Sequence, residues 1–188
     1  MPKIIKDLEE KIYRNAFSLF CEKGYKKTSM KDISKKTNIA VGTLYNYYNS
    51  KENLFFEILK ESWINTFKTL DVILENEDII DKKIKEFFKT LFLELKNRRG
   101  LGKELFEFNV IKKEDMDNLN KKIIDLTLLL IDKKEKCNYK FLLLEEQKLY
   151  FVKSILISAL HLSLEEENLE NILDYLVDIF NISFKEVL

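Results

Sequence analysis

The sequence predicts an all-α protein in two parts, and three observations carry that prediction. Its 188 residues include one proline, Pro2, and four glycines, so little interrupts helices joined by short polar turns. Apolar residues recur at steps of three and four along most of the chain, the spacing that gathers one face of a helix. The period-two alternation of half-buried strands is rare.

The first helix is predicted from about Ile4 to Lys23, with Ile5, Leu8, Ile12, Ala16 and Leu19 or Phe20 along one stripe. Gly24 ends it, as a glycine just past a helix C-terminus does. Residues 28–51, TSMKDISKKTNIAVGTLYNYYNSK, then read as helix, tight turn, helix and a further helix start. Ser29 with Asp32 three residues on is a capping box, each side chain satisfying a backbone N–H of the other. Met30 and Ile33 share a face, and Asn38 suits the left-handed conformation that a sharp turn needs. Ile39 and Leu44 form the apolar side of the second, short helix. This is a helix-turn-helix, whose second helix would lie in the DNA major groove.

Ser50 can cap a fourth helix running to about Leu74, with Leu54, Phe55, Ile58, Leu59, Trp63, Phe67 and Leu70 as its apolar positions. At ~1.5 Å per residue it is a lever of roughly 30 Å or more between the two parts. After a loop at 75–78, a helix is expected from about Ile79 to Lys96 with Ile84, Phe87, Phe88, Leu91, Phe92 and Leu95 inward. Residues 97–102 (NRRGLG) break it, and a short segment from Lys103 to Val110 follows. The next helix spans about Glu114 to Asp132 and closes on Lys133, Lys134 and Lys136, cations suited to a negative helix end. The acidic run Glu165 to Glu167 precedes the last helix with the complementary sign.

The final pair, about Leu144–Leu164 and Leu169–Val187, is the most apolar. The last helix carries one row through Leu169, Leu173, Leu176 and Phe180 and another through Ile172, Tyr175, Ile179 and Ile182. Two rows exceed what one small core absorbs, so a homodimer is expected through Ile155, Leu156, Leu176, Ile179 and Phe180, as a four-helix bundle across a two-fold axis.

A net charge of zero conceals an asymmetry. Residues 1–51 hold eleven Lys or Arg against five Asp or Glu, and the rest of the chain carries the opposite imbalance. A basic small part on an acidic larger one suits a protein that offers one end to phosphates. Cys21, Cys137 and the lone His161 cannot assemble a zinc site at any usual spacing. The longest apolar run, Tyr150 to Leu162, is interrupted by Lys153, Ser154, Ser158 and His161 and falls short of the ~20 residues of a membrane span. A soluble, cytoplasmic protein is expected, with no metal, no cofactor and no membrane partner.

The stretch from about Ile12 to Leu54 resembles the DNA-binding domain of the TetR family of bacterial transcriptional regulators. Ala16, Leu19-Phe20, Gly24-Tyr25, Thr28-Ser29-Met30, Asp32-Ile33, Gly42-Thr43-Leu44-Tyr45, Tyr47-Tyr48 and Ser50 through Leu54 carry the likeness, in register. The chain departs from the family at Ser34 and Thr37, where alanines are usual, and at Asn38, where glycine is common. Ala40 stands where a capping serine is usual, and Val41 replaces a polar or basic residue. The resemblance implies a helix-turn-helix domain over 1–50 and a helical effector-binding and dimerisation domain over 51–188.

The DNA-facing residues are expected to be Thr28, Ser29, Val41, Gly42, Thr43, Tyr45, Tyr47 and Lys51. Gly42 lets the backbone approach the duplex, Val41 and Thr43 offer methyl groups to thymine, and the tyrosine hydroxyls reach phosphates. Lys51 opens a helix where a cation opposes the macrodipole, a placement that a phosphate opposite would offset. Tyr48 matches the family's buried aromatic. The resemblance also implies a pocket, read here as Trp63, Phe67, Phe88, Phe92 and Phe106. Because no Arg or Lys interrupts those positions, the expected effector is a small apolar or aromatic molecule. The function read is a repressor released from a palindromic double-stranded DNA operator by that effector. The alternative, an all-helical small-molecule-binding protein or enzyme using the aromatic cavity, leaves the N-terminal motif and charge split unexplained. It also lacks a paired His and carboxylate, a nucleophile motif or a Gly-rich phosphate loop.

Overall fold

The computed structural model describes residues 6–98, 101, 113–164 and 168–187. In order the described elements are α1 (Lys6–Lys23), α2 (Met30–Thr37), α3 (Val41–Tyr47), α4 (Lys51–Glu75), α5 (Ile80–Asn97), α6 (Lys113–Glu135), β1 (Tyr139–Phe141), α7 (Glu145–Ser163), α8 (Leu169–Ile182) and β2 (Phe184–Glu186). The all-α expectation holds, with one short ribbon added. The expected segment from Lys103 to Val110 and the acidic run 165–167 lie outside the described residues. The chain divides into two units, Met1–Ile64 with Asn97–Met116, and Asn65–Lys96 with Asp117–Leu188.

In the first unit, Asp7 and Glu9 in the first turn of α1 and Lys23 in its last match the helix dipole. Gly24, at φ 76°, closes the helix with its N–H on the Phe20 carbonyl at 2.9 Å. Ile12, Ala16 and Phe20 are fully buried with Ile33, Leu44, Leu54, Phe55 and Leu59. The Phe55 ring meets Phe20 and Tyr25, each at 5.0 Å between centroids and edge-on, a geometry that aromatic quadrupoles favour. Ser50 caps α4 by accepting the Asn53 N–H at 3.0 Å.

In the second unit the α5 stripe lies inward as its spacing requires, from Ile84 through Leu95. Phe88 packs edge-on against Phe180 at 5.4 Å. Three lysines that composition alone assigns to solvent are buried with partners. Lys83 donates to the Leu74 carbonyl at 3.2 Å and to that of Asn76, closing the exposed carbonyl end of α4. Lys134 donates to Asn181 Oδ1 at 2.6 Å and lies 3.3 Å from Asp81. Lys148 reaches Glu135 and Glu145, each at 2.7 Å, and Asp132 at 3.9 Å.

The last helix stops at Ile182 rather than continuing to Val187. Residues Phe184–Glu186 instead pair antiparallel with Tyr139–Phe141, with Phe141 opposite Phe184. Asn138 at φ 65° turns the chain into β1, and the two phenylalanine rings lie 5.1 Å apart. The ribbon covers Phe184 and Phe141, which a helix continuing past Ile182 would place differently around its axis.

A candidate nucleic-acid interface

The turn region is built by local hydrogen bonds that the residue types dictate. Ser29 Oγ accepts the Asp32 N–H at 3.1 Å, and Asp32 Oδ2 accepts the Ser29 N–H at 2.9 Å, completing the expected capping box. The Ser29 hydroxyl also donates to Asp32 Oδ2 at 2.5 Å, and that bond first, then the one from the Ser29 N–H, holds the Asp32 carboxyl below the usual carboxylate range. At the other end of α2, Asn38 adopts φ 59°, ψ 49°. Its N–H donates to Lys35 at 3.2 Å, and the Ile39 N–H donates to Ser34 at 3.0 Å, a Schellman pattern that reverses the chain sharply.

α3 follows without a side-chain cap, because Ala40 has no oxygen to offer. Leu44 alone in α3 is fully buried and pins the helix, and Tyr48 just beyond it is nearly so. Burial first, then the nearby Glu9 and Glu57 carboxylates, pushes the Tyr48 hydroxyl up to about 12. The rest of the helix looks outward. Val41, Gly42, Tyr45 and Asn46 are exposed, and Thr43 and Tyr47 are half-buried. A Cβ built on Gly42 meets nothing within 4 Å, so no steric feature of the fold demands glycine there.

Beside this face lies a groove of about 420 Å³ lined by Lys26, Lys27, Thr28, Ser29, Met30, Lys31, Val41, Tyr45 and Lys51. It combines the N-terminal end of α2, where backbone N–H groups favour anions, with four lysines. Sequence reasoning named Lys51 and missed Lys26, Lys27 and Lys31; their clustering around the helix-turn-helix was the available signal.

Two of the expected contact residues are engaged inward. Thr28 is 1% exposed, and its hydroxyl donates to the Gly24 carbonyl at 2.8 Å and the Leu19 carbonyl at 3.3 Å. Lys51 Nζ donates to the carbonyls of Tyr25 at 2.9 Å and Thr28 at 3.0 Å, and sits 3.9 Å from the centre of the Tyr25 ring.

Of the residues read as a pocket, Trp63 is buried in the first unit. In the second, Phe88 and Phe92 are fully buried and Phe67 is half-buried. Phe106 lies outside the described residues. The Arg98 guanidinium lies 4.8 Å from the Trp63 ring centre, and its Nε donates to Ser62 Oγ at 3.1 Å. A cation therefore adjoins Trp63, although no Arg or Lys interrupts the aromatic positions along the sequence. Among the residues expected at a dimer seam, Ile155, Leu176 and Phe180 are buried within the second unit, and Leu156 and Ile179 are half-buried. The exposed apolar side chains of α7 and α8 are instead Leu149, Tyr150, Ile157, Tyr175 and Ile182, with Leu164 just after α7. Among the described residues no group of three or more His, Cys, Asp or Glu could hold a metal ion, and no helix is long and apolar enough to cross a membrane.

These features define a helical protein with a helix-turn-helix whose second helix presents its side chains outward beside a lysine-lined groove. Residues 12–58 match the family described as bacterial regulatory proteins, tetR family. The negative transcriptional regulator IcaR of the biofilm operon icaADBC in Staphylococcus epidermidis is 39% identical over 88 residues, covering 45% of this chain and 46% of IcaR. The IcaR of Staphylococcus aureus strain Newman is 31% identical over 87 residues, 45% of this chain and 44% of the relative. The matches thus span about half the length of these curated relatives.

The fold extends further. A TetR transcriptional regulator from Legionella pneumophila superposes with TM-score 0.73 at 20% identity, over 97% of this chain and all of the other. FadR of Bacillus subtilis, solved in complex with stearoyl-CoA, gives TM-score 0.74 at 16% identity over 91% and 96%. At such identities the likeness establishes the all-helical two-part fold.

Proposed function

We propose that the protein is a ligand-responsive, DNA-binding transcriptional regulator that acts as a repressor. The observation that carries this reading is the outward face of α3, with Val41, Gly42 and Tyr45 exposed beside a groove whose lining includes Lys26, Lys27 and Lys31. Methyl groups and a bare backbone suit base edges in the major groove, and lysines suit the flanking phosphates. Its relatives in sequence are transcriptional regulators, two of them named as negative ones.

The protein acts as a homodimer in this reading. The exposed apolar faces of α7 and α8, through Tyr150, Ile157, Tyr175 and Ile182, are what a second copy would cover. Two-fold symmetry would set two recognition helices one DNA turn apart, ~34 Å, on a palindromic operator. A small apolar or aromatic effector, taken by the helices that follow the DNA-binding segment, favours the arrangement that does not bind the operator. A 100-fold preference for that arrangement corresponds to ~2.7 kcal/mol of coupling. A gel-shift titration against genomic fragments, including the region upstream of its own gene, tests this. Retention of one fragment over an excess of random duplex supports the reading, and failure to retard any duplex rejects it.

A further inference from the structure

We propose that Lys51 is a positioning residue, locking the peptide unit that begins α2 and thereby the register of the whole helix-turn-helix. This rests on the DNA-binding reading above but assigns Lys51 a role other than touching a phosphate. The peptide unit between Thr28 and Ser29 is held at both edges. Its C=O accepts from Lys51 Nζ at 3.0 Å, and its N–H donates to Asp32 Oδ2 at 2.9 Å. In a trans peptide these groups point in opposite directions, so two bonds fix the plane against rotation. The same ammonium holds the Tyr25 carbonyl at 2.9 Å and lies over the Tyr25 ring, which packs on Phe55 of α4. One side chain on α4 therefore ties down both ends of the 25–28 connection between α1 and α2.

This geometry also accounts for an otherwise unfavourable placement. A cation in the first turn of a helix opposes the macrodipole. Here two carbonyl oxygens and an aromatic face supply the compensating negative potential from within the protein. The consequence is that Ser29, Lys26 and Lys27 are presented to the groove in one fixed arrangement rather than an ensemble.

The test uses Lys51→Met, which keeps the aliphatic stem and removes the ammonium, together with Lys51→Arg and Asp32→Ala, all in the full-length chain. In DNA-free protein, amide exchange at Ser29 is expected to accelerate at least tenfold in Lys51→Met while amides in the middle of α1 and α4 keep their protection. Operator affinity, measured by fluorescence anisotropy, is expected to fall at least tenfold with the slope of log K against log salt unchanged. Lys51→Arg, which keeps a charge for a phosphate but not the compact fit, should resemble Lys51→Met. The losses from Lys51→Met and Asp32→Ala should be less than additive, because each frees the same peptide unit.

A slope reduced by about 1.8, which is about 0.9 for each protomer of the dimer, with Lys51→Arg behaving as wild type, identifies a phosphate contact and overturns the proposal. Unchanged Ser29 exchange in Lys51→Met overturns it as well. If the wild-type protein binds no duplex, the functional reading fails, while the exchange result still decides the role of Lys51.

Discussion

Gly42 separates what the fold needs from what binding needs, so its replacement by alanine should raise stability and lower affinity together. The added Cβ has nothing within 4 Å to strike, and the position is helical. Alanine in place of a helical glycine stabilises by about 0.5–1 kcal/mol, mostly because the unfolded chain loses fewer conformations. For a chain of this length that is a rise of about 2–4 °C in Tm per kcal/mol. In the proposed docking the same methyl would stand between the α3 backbone and the base edges. A loss of about tenfold in operator affinity, ~1.4 kcal/mol, is expected for Gly42→Ala. Gly42→Leu, larger still, should abolish specific binding while circular dichroism remains that of the wild type. Thermal melts and anisotropy titrations on the same preparations read both effects. A lower Tm for Gly42→Ala would show that the fold requires the glycine. A wild-type affinity for Gly42→Leu would show that α3 does not dock by this face.

Lys148→Met should lower stability by about 1–2 kcal/mol, because Glu135 and Glu145 lose their shared donor, with the loss tempered by the exposure of Glu145. Burial lowers the Lys148 pKa, but its hydrogen bonds to Glu135 and Glu145 outweigh that and raise it above 10.5. Its stabilisation is thus complete below pH 10.5 and lost as pH rises through the folded value, which an alkaline unfolding series compared with Lys148→Met will show. Burial pushes the Cys21 thiol up to about 11, so iodoacetamide at pH 8 should modify exposed Cys137 well before Cys21, as peptide mapping would reveal. Tyr175→Glu or Ile182→Glu should yield folded monomers in sedimentation experiments, because both side chains are exposed in the single chain. Leu176→Glu should instead unfold the second unit.

The local features of the turn were legible because they are short-range chemistry. Ser29 with Asp32, Asn38 in the left-handed region, the uncapped Ala40 and the inward Leu44 each follow from residues within four positions of one another. The α5 stripe was legible for the same reason, a single periodicity facing a single core. What was not legible involves partners distant in the chain. Lys51 reaches back 26 residues to Tyr25, and the spacing of apolar residues carries no information about where an ammonium turns. Lys134 and Lys148 read as solvated cations until Asn181, Glu135 and Glu145 are brought beside them. The ribbon was hidden because Phe180 and Phe184 stand four residues apart, a helical step, and only the pairing with Tyr139–Phe141 shows the helix to have ended. Both apolar rows of the last helix were visible, but not how they divide between core and surface; Ile172, Leu173, Leu176 and Phe180 are buried, and Tyr175 and Ile182 are exposed.

In the proposed function the outward face of α3 and the lysine groove bind duplex DNA together, through bases and phosphates. The most direct test is the salt dependence of wild-type binding to its retained fragment, by anisotropy from about 50 to 300 mM salt. If Lys26, Lys27 and Lys31 of each protomer neutralise one phosphate apiece, log K should fall against log salt with a slope of about −5. The fragment should also keep an advantage over scrambled duplex throughout that range. An affinity insensitive to salt, or equal for both duplexes at every salt concentration, would contradict the account.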